Sequence, residues 1–410
     1  MTHDIEQRTA ALRDRLLRNR ADRFPVEHAT TQFHLGTTLI EAGRPDTAVS
    51  ALRVATKLFE QEGMPVEQAK ATNMLGAALR LAGRLDEAGE AFALAVQLFE
   101  AHDQPLERGA ALFNRGLVCR DLGDLDAAAT CFQQAGVLFD EGRRTTQASA
   151  AAREFGTTEF MAGRLDTASE ALERAVELAE RVGDHQGLGA AANPLGLVEL
   201  ALGRAEKAIT AFRDAVGANP RSLRPEGYAM AKANLALAYE QGDDTVRARL
   251  AARQALATPA VPGPVREQAA AVVARIGDEP GDLVAVLDEE SPEQWPGVIR
   301  EELLRWLDAA DSERQAESRA WVEGVVARRA RSIELAEAWL GVLLELPPDA
   351  METLIRSTIE VLRGQDVDSV ERFRTDVSRA MVRFHIPQWD RLRATFNRLA
   401  TELGEEPAWT

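Results

Sequence analysis

Few residues in this 410-residue chain have the types and spacings that covalent or metal chemistry requires. The sequence contains no glycine-rich phosphate loop, no HExxH or CxxC motif and no nucleophile elbow. The six histidines are mostly isolated, so we expect no metal site and no cofactor. Cys119 and Cys131 are interpreted first as small buried hydrophobic residues, with a redox pair as the alternative. Amides, guanidiniums and aromatic rings remain, so we expect non-covalent recognition. A helical enzyme is a further alternative, but it requires an acid–base pair that the sequence does not reveal.

Charge and composition exclude several classes of partner. The net charge of -17 argues against nucleic acid and anionic membranes, which attract a positive protein surface. No apolar run is long enough to span a membrane, and the N-terminus has no signal-peptide core. Two cysteines cannot form a disulfide framework, so a cytoplasmic location is expected. Abundant alanine, with arginine far outnumbering lysine, favours a high-GC bacterial source.

The strongest feature of the sequence is a repeat of forty residues. A first glycine recurs at this interval, with Ala236 in the sixth copy: Gly36, Gly76, Gly116, Gly156 and Gly196. A second glycine follows seven residues later in five copies: Gly43, Gly83, Gly123, Gly163 and Gly203. Alanines lie twelve and nineteen residues after the first glycine, and a leucine or phenylalanine lies sixteen after it in five of the six copies. Each copy therefore contains the same local structure.

Each repeated position has a physical reason that predicts a helical hairpin. The second glycine suits the left-handed turn that ends a helix, and an aspartate such as Asp46 or Asp126 is expected to cap the next helix. Prolines open the first helix of three copies, at Pro25, Pro65 and Pro105. The small first slot lets two helix backbones approach closely. Helices of about fifteen residues, or about 23 Å, are expected.

The pattern small-x11-Ala-x3-aromatic-x2-Ala resembles the tetratricopeptide repeat over residues 25 to 256. The period of forty is longer than the family's usual one and is similar to the variant in kinesin light chain. This resemblance implies an all-α fold, a right-handed α-solenoid of helical hairpins followed by a C-terminal helical module. We expect a capping helix in residues 1–24, six repeats in 25–257 and a helical domain in 258–410.

The C-terminal third differs from the repeats. A Pro-rich breaker, Thr258–Pro264, precedes it, and all six tryptophans lie beyond that breaker. We expect seven or eight helices that pack on the end of the array, with a central helix at residues 333 to 346. The acidic stretch from Asp288 to Glu317 is interpreted as solvated helix faces, with a docking surface for a basic partner as the alternative.

The resemblance also places a binding groove on the first helices of the hairpins. In the family, groove residues lie three before and four after the first glycine, and Asn114 and Asn234 lie two before. Asparagine amides in such a groove hold an extended peptide backbone, and arginines in successive repeats favour an acidic ligand. The candidate binding residues are Asn73, Arg80, Phe113, Asn114, Arg120, Arg153, Phe160, Asn193 and Asn234.

Three readings of these residues stay open at the sequence level. The first is a non-enzymatic scaffold or adaptor that binds a protein or peptide, with an acidic peptide favoured. The second is an accessory subunit of a bacterial enzyme or pathway that binds a small molecule or carrier protein, for which the Trp-rich module is the candidate. The third is a solvated helix face in which the arginines form internal salt bridges, to Glu154 for instance. The oligomeric state cannot be read from the sequence.

Overall fold

The structure, a computed structural model, describes residues 2–259 and 261–409. These residues form 21 α-helices and no strand. The helices that precede the Pro-rich breaker are α1 Thr2–Arg18, α2 Pro25–Glu41, α3 Pro45–Gln61, α4 Pro65–Leu81, α5 Leu85–Ala101, α6 Pro105–Asp121, α7 Leu125–Glu141, α8 Thr145–Met161, α9 Leu165–Val182, α10 His185–Ala201, α11 Ala205–Ala218, α12 Pro225–Gln241 and α13 Thr245–Leu256. The remaining helices are α14 Gly263–Ile276, α15 Asp282–Glu289, α16 Trp295–Asp308, α17 Asp311–Ala327, α18 Ser332–Glu345, α19 Pro348–Leu362, α20 Val367–Met381 and α21 Ile386–Glu402. The all-α expectation is confirmed.

The forty-residue period follows from the helix lengths. Helices α2 to α8 each contain 17 residues, not about fifteen, and three-residue turns join them. One helix of this length spans about 26 Å. Two 17-residue helices, each followed by a three-residue turn, therefore make up the forty residues of one repeat.

The turns within the hairpins use glycine as expected, but the aspartates take a different place. Gly43 and Gly123 have φ values of 67° and 85°, in the left-handed region where a side chain is disfavoured. Asp46 and Asp126 lie in the first turn of α3 and α7 and do not cap them. Their carboxylates still favour the positive end of the helix dipole. The N-cap of α7 is Asp124, whose carboxylate accepts from the Ala127 nitrogen, so the capping prediction was wrong by two positions.

The first glycine of each copy lies where two helices of a hairpin touch. A methyl group built on Gly76 would lie 2.8 Å from the Phe92 ring, and one built on Gly116 would lie 2.8 Å from the Phe132 ring. Both rings are completely buried. Glycine is thus needed at these slots because the phenylalanine ring of the second helix fills the space that a side chain would take.

The chain divides into two compact units, one ending at Gly203 and one starting at Arg204. In the first unit, α1 packs on α2 and contributes Leu12 and Leu16 to the apolar core. The successive helices α2 to α10 each pack on the next, and the first helices of neighbouring hairpins also touch, as in α2 with α4 and α4 with α6. This stacking of first helices on one another creates a continuous face.

The second unit contains α11, the hairpin α12–α13 and the helices α14 to α21. The eight helices after the Pro-rich breaker are within the number expected for the C-terminal third. Helices α14, α15 and α16 pack on this hairpin, so they cover its apolar surface. Five of the six tryptophans are buried in the core around α18, the expected central helix, and Trp389 is partly buried at its edge. The division of the chain at residues 24 and 257 stays a prediction.

Candidate functional site

The candidate site is a half-buried face of the first helices α2, α4, α6, α8 and α10. Residues three before and four after the glycine slot are half-buried in all five copies, because the offset of seven residues places them on one side of a helix. They are Phe33, Ile40, Asn73, Arg80, Phe113, Arg120, Arg153, Phe160, Asn193 and Leu200. The sequence reasoning therefore places these positions together on a surface that a ligand can reach.

An amide pair joins two neighbouring helices of this face. The Asn114 Nδ2 on α6 donates to the Asn73 Oδ1 on α4 at 3.3 Å. Each amide has a second polar atom, and the described residues include no partner for the Asn73 Nδ2 or the Asn114 Oδ1. The pair thus offers one donor and one acceptor without a net charge, which matches the two polar atoms of a peptide group.

The three arginines of the face are engaged by two carboxylates. The Arg80 Nε lies 2.6 Å from an Asp121 oxygen. Glu154 accepts from Arg120 at 2.5 Å and from Arg153 at 2.6 Å, so two guanidiniums share one carboxylate. The expected internal salt bridge to Glu154 is present. One positive charge of these five groups remains uncompensated, and it lies on the α6–α8 part of the face.

Aromatic rings supply the apolar part of the face. The Phe113 ring packs edge-on against the Phe132 ring at a centroid distance of 5.4 Å. The Arg120 guanidinium lies 5.7 Å from the same Phe132 ring, which holds that side chain in place. Phe160 is half-buried at the corresponding later slot of α8. A ligand on this face could therefore contact rings, amides and guanidiniums.

Two of the four candidate asparagines are not part of the amide pair. Asn193 lies on the same face of α10, next to Pro194, through which the helix continues. Asn234, on α12, is only 5% exposed, and its Oδ1 accepts from the Gln268 Nε2 of α14 at 2.8 Å. Asn234 is therefore part of the packing within the second unit and is not available to a ligand.

Sequence reasoning missed two pairings on this face, the link between Asn73 and Asn114 and the pairing of Arg80 with Asp121. It expected a salt bridge to Glu154 but not that two arginines share this carboxylate. The signal was present, because the first two pairs are both separated by 41 residues, one repeat and one position. Contacts between first helices of adjacent copies are expected at this offset.

Two carboxylates of the acidic stretch, Glu302 and Glu317, form buried ion pairs, whereas most of its other acids are exposed. Arg305 is 2% exposed and contacts Glu302 at 3.0 Å and Glu317 at 2.6 Å. Arg249 and Arg253 of α13 reach Asp282 and Glu317, and Gln254 reaches Glu302 at 2.7 Å. Burial raises the pKa of the Glu302 and Asp282 carboxyls. These pairs tie the hairpin α12–α13 to the helices that cover it.

The described residues show no arrangement for a metal or for a membrane span. No three histidine, cysteine, aspartate or glutamate side chains among them converge as metal ligands. None of the helices formed by residues 2–259 and 261–409 has the length and apolar character needed to cross a bilayer. The buried tryptophans are part of a hydrophobic core.

Repeated hairpins with an exposed face on their first helices define a helical-repeat protein. Models of the tetratricopeptide repeat match residues 67–135, 147–220 and 193–263. These residues belong to the tetratricopeptide repeat superfamily. The general role that this repeat supports is that of a protein-interaction scaffold.

Several solved structures are similar to this chain, all at low identity. BtubC (BKLC) from P. vanneervenii is 17% identical, with 52% of this chain and 90% of that chain covered and a TM-score of 0.46. The pilF protein of Pseudomonas aeruginosa is 14% identical, with 59% and 97% covered and a TM-score of 0.45. The apo form of RapI is 11% identical, with 84% and 99% covered and a TM-score of 0.44. No curated protein matches the sequence significantly.

Proposed function

We propose that this protein is a non-enzymatic adaptor that binds an extended peptide segment of a partner protein on the face formed by α4, α6 and α8. The observation that carries the proposal is the amide pair of Asn73 and Asn114, which presents one donor and one acceptor in a half-buried setting. A peptide backbone can satisfy both atoms at once. Side chains of the peptide would then lie over Phe113 and the arginines.

An acidic residue in the peptide is favoured next to Glu154. Arg120 and Arg153 share this one carboxylate, so a second carboxylate from the ligand can complete the pairing of both guanidiniums. Arg80 is less suited to this role, because Asp121 already pairs with it. The preferred segment therefore contains one acid near its α6–α8 end rather than a run of acids.

The proposal is tested by a binding series on the full chain. An array of extended decapeptides with zero to three acidic residues identifies a binder, and titration calorimetry measures its affinity at two salt concentrations. Truncation by N73A or N114A removes an uncharged hydrogen bond and should cost about 1–3 kcal/mol at either salt concentration. Truncation of Arg153 by R153A should cost about 1 kcal/mol and reduce the salt dependence.

A matched control separates the face from the rest of the surface. Gln134 is an exposed amide on α7, the second helix of the third hairpin, and Q134A should bind as the wild type does. Circular dichroism should show the same melting temperature for N73A, N114A and Q134A, since these side chains lie outside the hairpin cores. If N73A and N114A bind the peptide as tightly as Q134A, the face is not the binding site.

The runner-up function is a small-molecule site in the Trp-rich module. Its tryptophans contribute to the core of the second unit. The same calorimeter tests it, because a ligand of that module would bind N73A and the wild type equally.

A further inference from the structure

A groove outside the candidate face lies between the second helices α7 and α9. Helix α8 packs on both of them, and the groove has a volume of about 490 Å³. Val137 on α7 is 53% exposed and Phe155 on α8 is half-buried, so apolar surface in the groove is open to solvent. This α7–α9 groove is lined in part by Gly136, Val137, Ala148, Ala152, Phe155 and Glu170.

Two small residues open the groove between the third and fourth hairpins. The slot of Gly136 holds a branched side chain in the five other copies: Thr56, Val96, Val176, Val216 and Leu256. The slot of Ala148 holds a larger side chain in each of them: His28, Gln68, Arg108, Leu188 and Tyr228. Because both slots hold their smallest residue here, the α7–α9 groove has room for a side chain of another molecule.

The same position on a later copy is covered by helices of the chain itself. Shifted by eighty residues, eight of the twelve positions that line the α7–α9 groove also line a cavity of about 400 Å³ on α11, α12 and α13. Helices α15 and α16 pack on α13, and Val286 and Val298 of these helices line the same cavity. The chain therefore shows that helices dock over this type of groove through apolar side chains.

Charge determines which kind of helix can cover each groove. Helix α11 has no net charge and α13 carries three arginines, whereas α15 carries three acids and α16 carries three acids and two arginines. Arg247 of α13 pairs with Glu290 at 2.9 Å, and Lys232 of α12 pairs with Glu301. Helices α7 and α9 have the opposite charge, because α7 carries three acids and no base and α9 carries five acids and two arginines. A helix that covers the α7–α9 groove should therefore be basic.

We propose that the α7–α9 groove binds a basic amphipathic helix of a partner protein. The apolar side chains of that helix lie over Val137 and Phe155 and fill the space beside Gly136. Its lysines or arginines lie along α9 next to Glu170 and Glu177, which are exposed, lie seven residues apart on one side of the helix and have no cationic partner among the described residues. A second copy of this chain fits less well, because its net charge of -17 would add repulsion.

The negative charge of α9 is available to a ligand and is separate from the candidate face. Arg174, the arginine that lines the groove, pairs with Asp140 on α7. It therefore does not neutralise Glu170 or Glu177. The amide pair of the candidate face lies on α4 and α6, so the α7–α9 groove is a second site whether or not a peptide binds to that face.

The test uses the full chain and three designed peptides of 17 residues, the length of α7. The first peptide has leucines along one face of a helix and lysines on the other, and the second has glutamate in place of each lysine. The third has the composition of the first, with its leucines distributed around the helix. Fluorescence anisotropy at two salt concentrations should show that the first peptide binds about tenfold more tightly than the third, because only the first has a continuous apolar face to bury. The acidic peptide should not bind.

Variants of the groove locate the bound peptide. V137K places a cation in the groove, and A152L fills it with the residue that the third copy carries at the same slot, Leu112. Each should weaken binding of the first peptide about tenfold. V54K is the matched control, because Val54 is a 40% exposed valine on the second helix α3 and the change in charge is the same. V54K should bind within about twofold of the wild type, since a distant charge is screened, and N73A should bind as the wild type does.

Several results would overturn the proposal. Equal binding of the first and third peptides would show attraction to an acidic surface without a groove. Binding by V137K and A152L that is as tight as binding by V54K would place the peptide elsewhere. Tighter binding of the acidic peptide would contradict the charge argument. A dimer in sedimentation that V137K dissociates would show that a second copy of the chain occupies the groove.

Discussion

The clearest prediction concerns two glycines of the third hairpin that differ only in the space around them. Gly116 on α6 and Gly136 on α7 both lie inside 17-residue helices with ordinary helical φ values. Alanine is favoured over glycine in a helix interior by about 1 kcal/mol. A methyl group on Gly136 meets its nearest atom, the Ala151 Cβ, at 3.7 Å, so G136A should raise the free energy of unfolding by about that amount.

The same substitution at Gly116 should have the opposite effect or none. Its methyl group would lie 2.8 Å from the Phe132 ring, which is fully buried and cannot swing into solvent. Overpacking of this kind costs about 1–3 kcal/mol, which offsets or exceeds the gain in helix propensity. The difference between G116A and G136A isolates the steric cost, because the propensity gain is common to both variants.

Hydrogen exchange of the α6 and α7 amides in the full chain measures this difference locally, independently of the second unit. The amides of the hairpin should exchange more slowly in G136A than in the wild type. In G116A they should exchange at the wild-type rate or faster. If both variants slow exchange equally, the hairpin accommodates a methyl group at the glycine slot, and the explanation of the repeated small residue is wrong.

Two further predictions concern the buried ion pairs of the second unit. R305A leaves Glu302 buried without a cationic partner and leaves Glu317 with Arg253 alone, and it should cost about 3–5 kcal/mol in chemical denaturation. R300A, on the same helix but in an exposed pair with Glu345, should cost about 0–1 kcal/mol. Burial raises the pKa of Glu302, so the folded chain binds a proton there that the unfolded chain releases. That contribution to stability is complete below the ordinary pKa of a carboxyl and is lost as the pH rises through the raised value, so E302Q should flatten this part of the pH dependence of the melting temperature in calorimetry.

The repeats were predictable from the sequence because each signal acts within a single copy. Gly43 predicts a positive φ, Pro25 predicts a helix start, and Gly76 predicts a close contact, which is with Phe92. None of these inferences needs information about distant parts of the chain. The error over Asp46 has the same local origin. A carboxylate near a helix start suits either the N-cap position or the first turn. Which of these positions it takes depends on the residue at which the helix begins, and that is set by the length of the preceding turn.

The pairings on the candidate face were harder to predict because they join different copies. Register alone predicts a basic groove formed by Arg80, Arg120 and Arg153. Asp121, the partner of Arg80, and Glu154, the partner of Arg120, each lie on the first helix of the next copy. The charge of a solenoid face thus depends on which side chains of adjacent first helices meet, and this requires the stacking geometry.

Asn114 and Asn234 show how far register alone can assign function. Both lie two residues before the first slot of their copies, and on sequence grounds they are equivalent. Asn114 is half-buried and pairs with Asn73 on the first helix of the preceding copy. Asn234 is covered by α14, and its side chain is hydrogen-bonded to Gln268. The difference comes from the non-repeating helices, whose positions the repeat pattern cannot predict. The repeat therefore determines which residues can face a ligand, and the C-terminal helices determine which copies keep that face exposed.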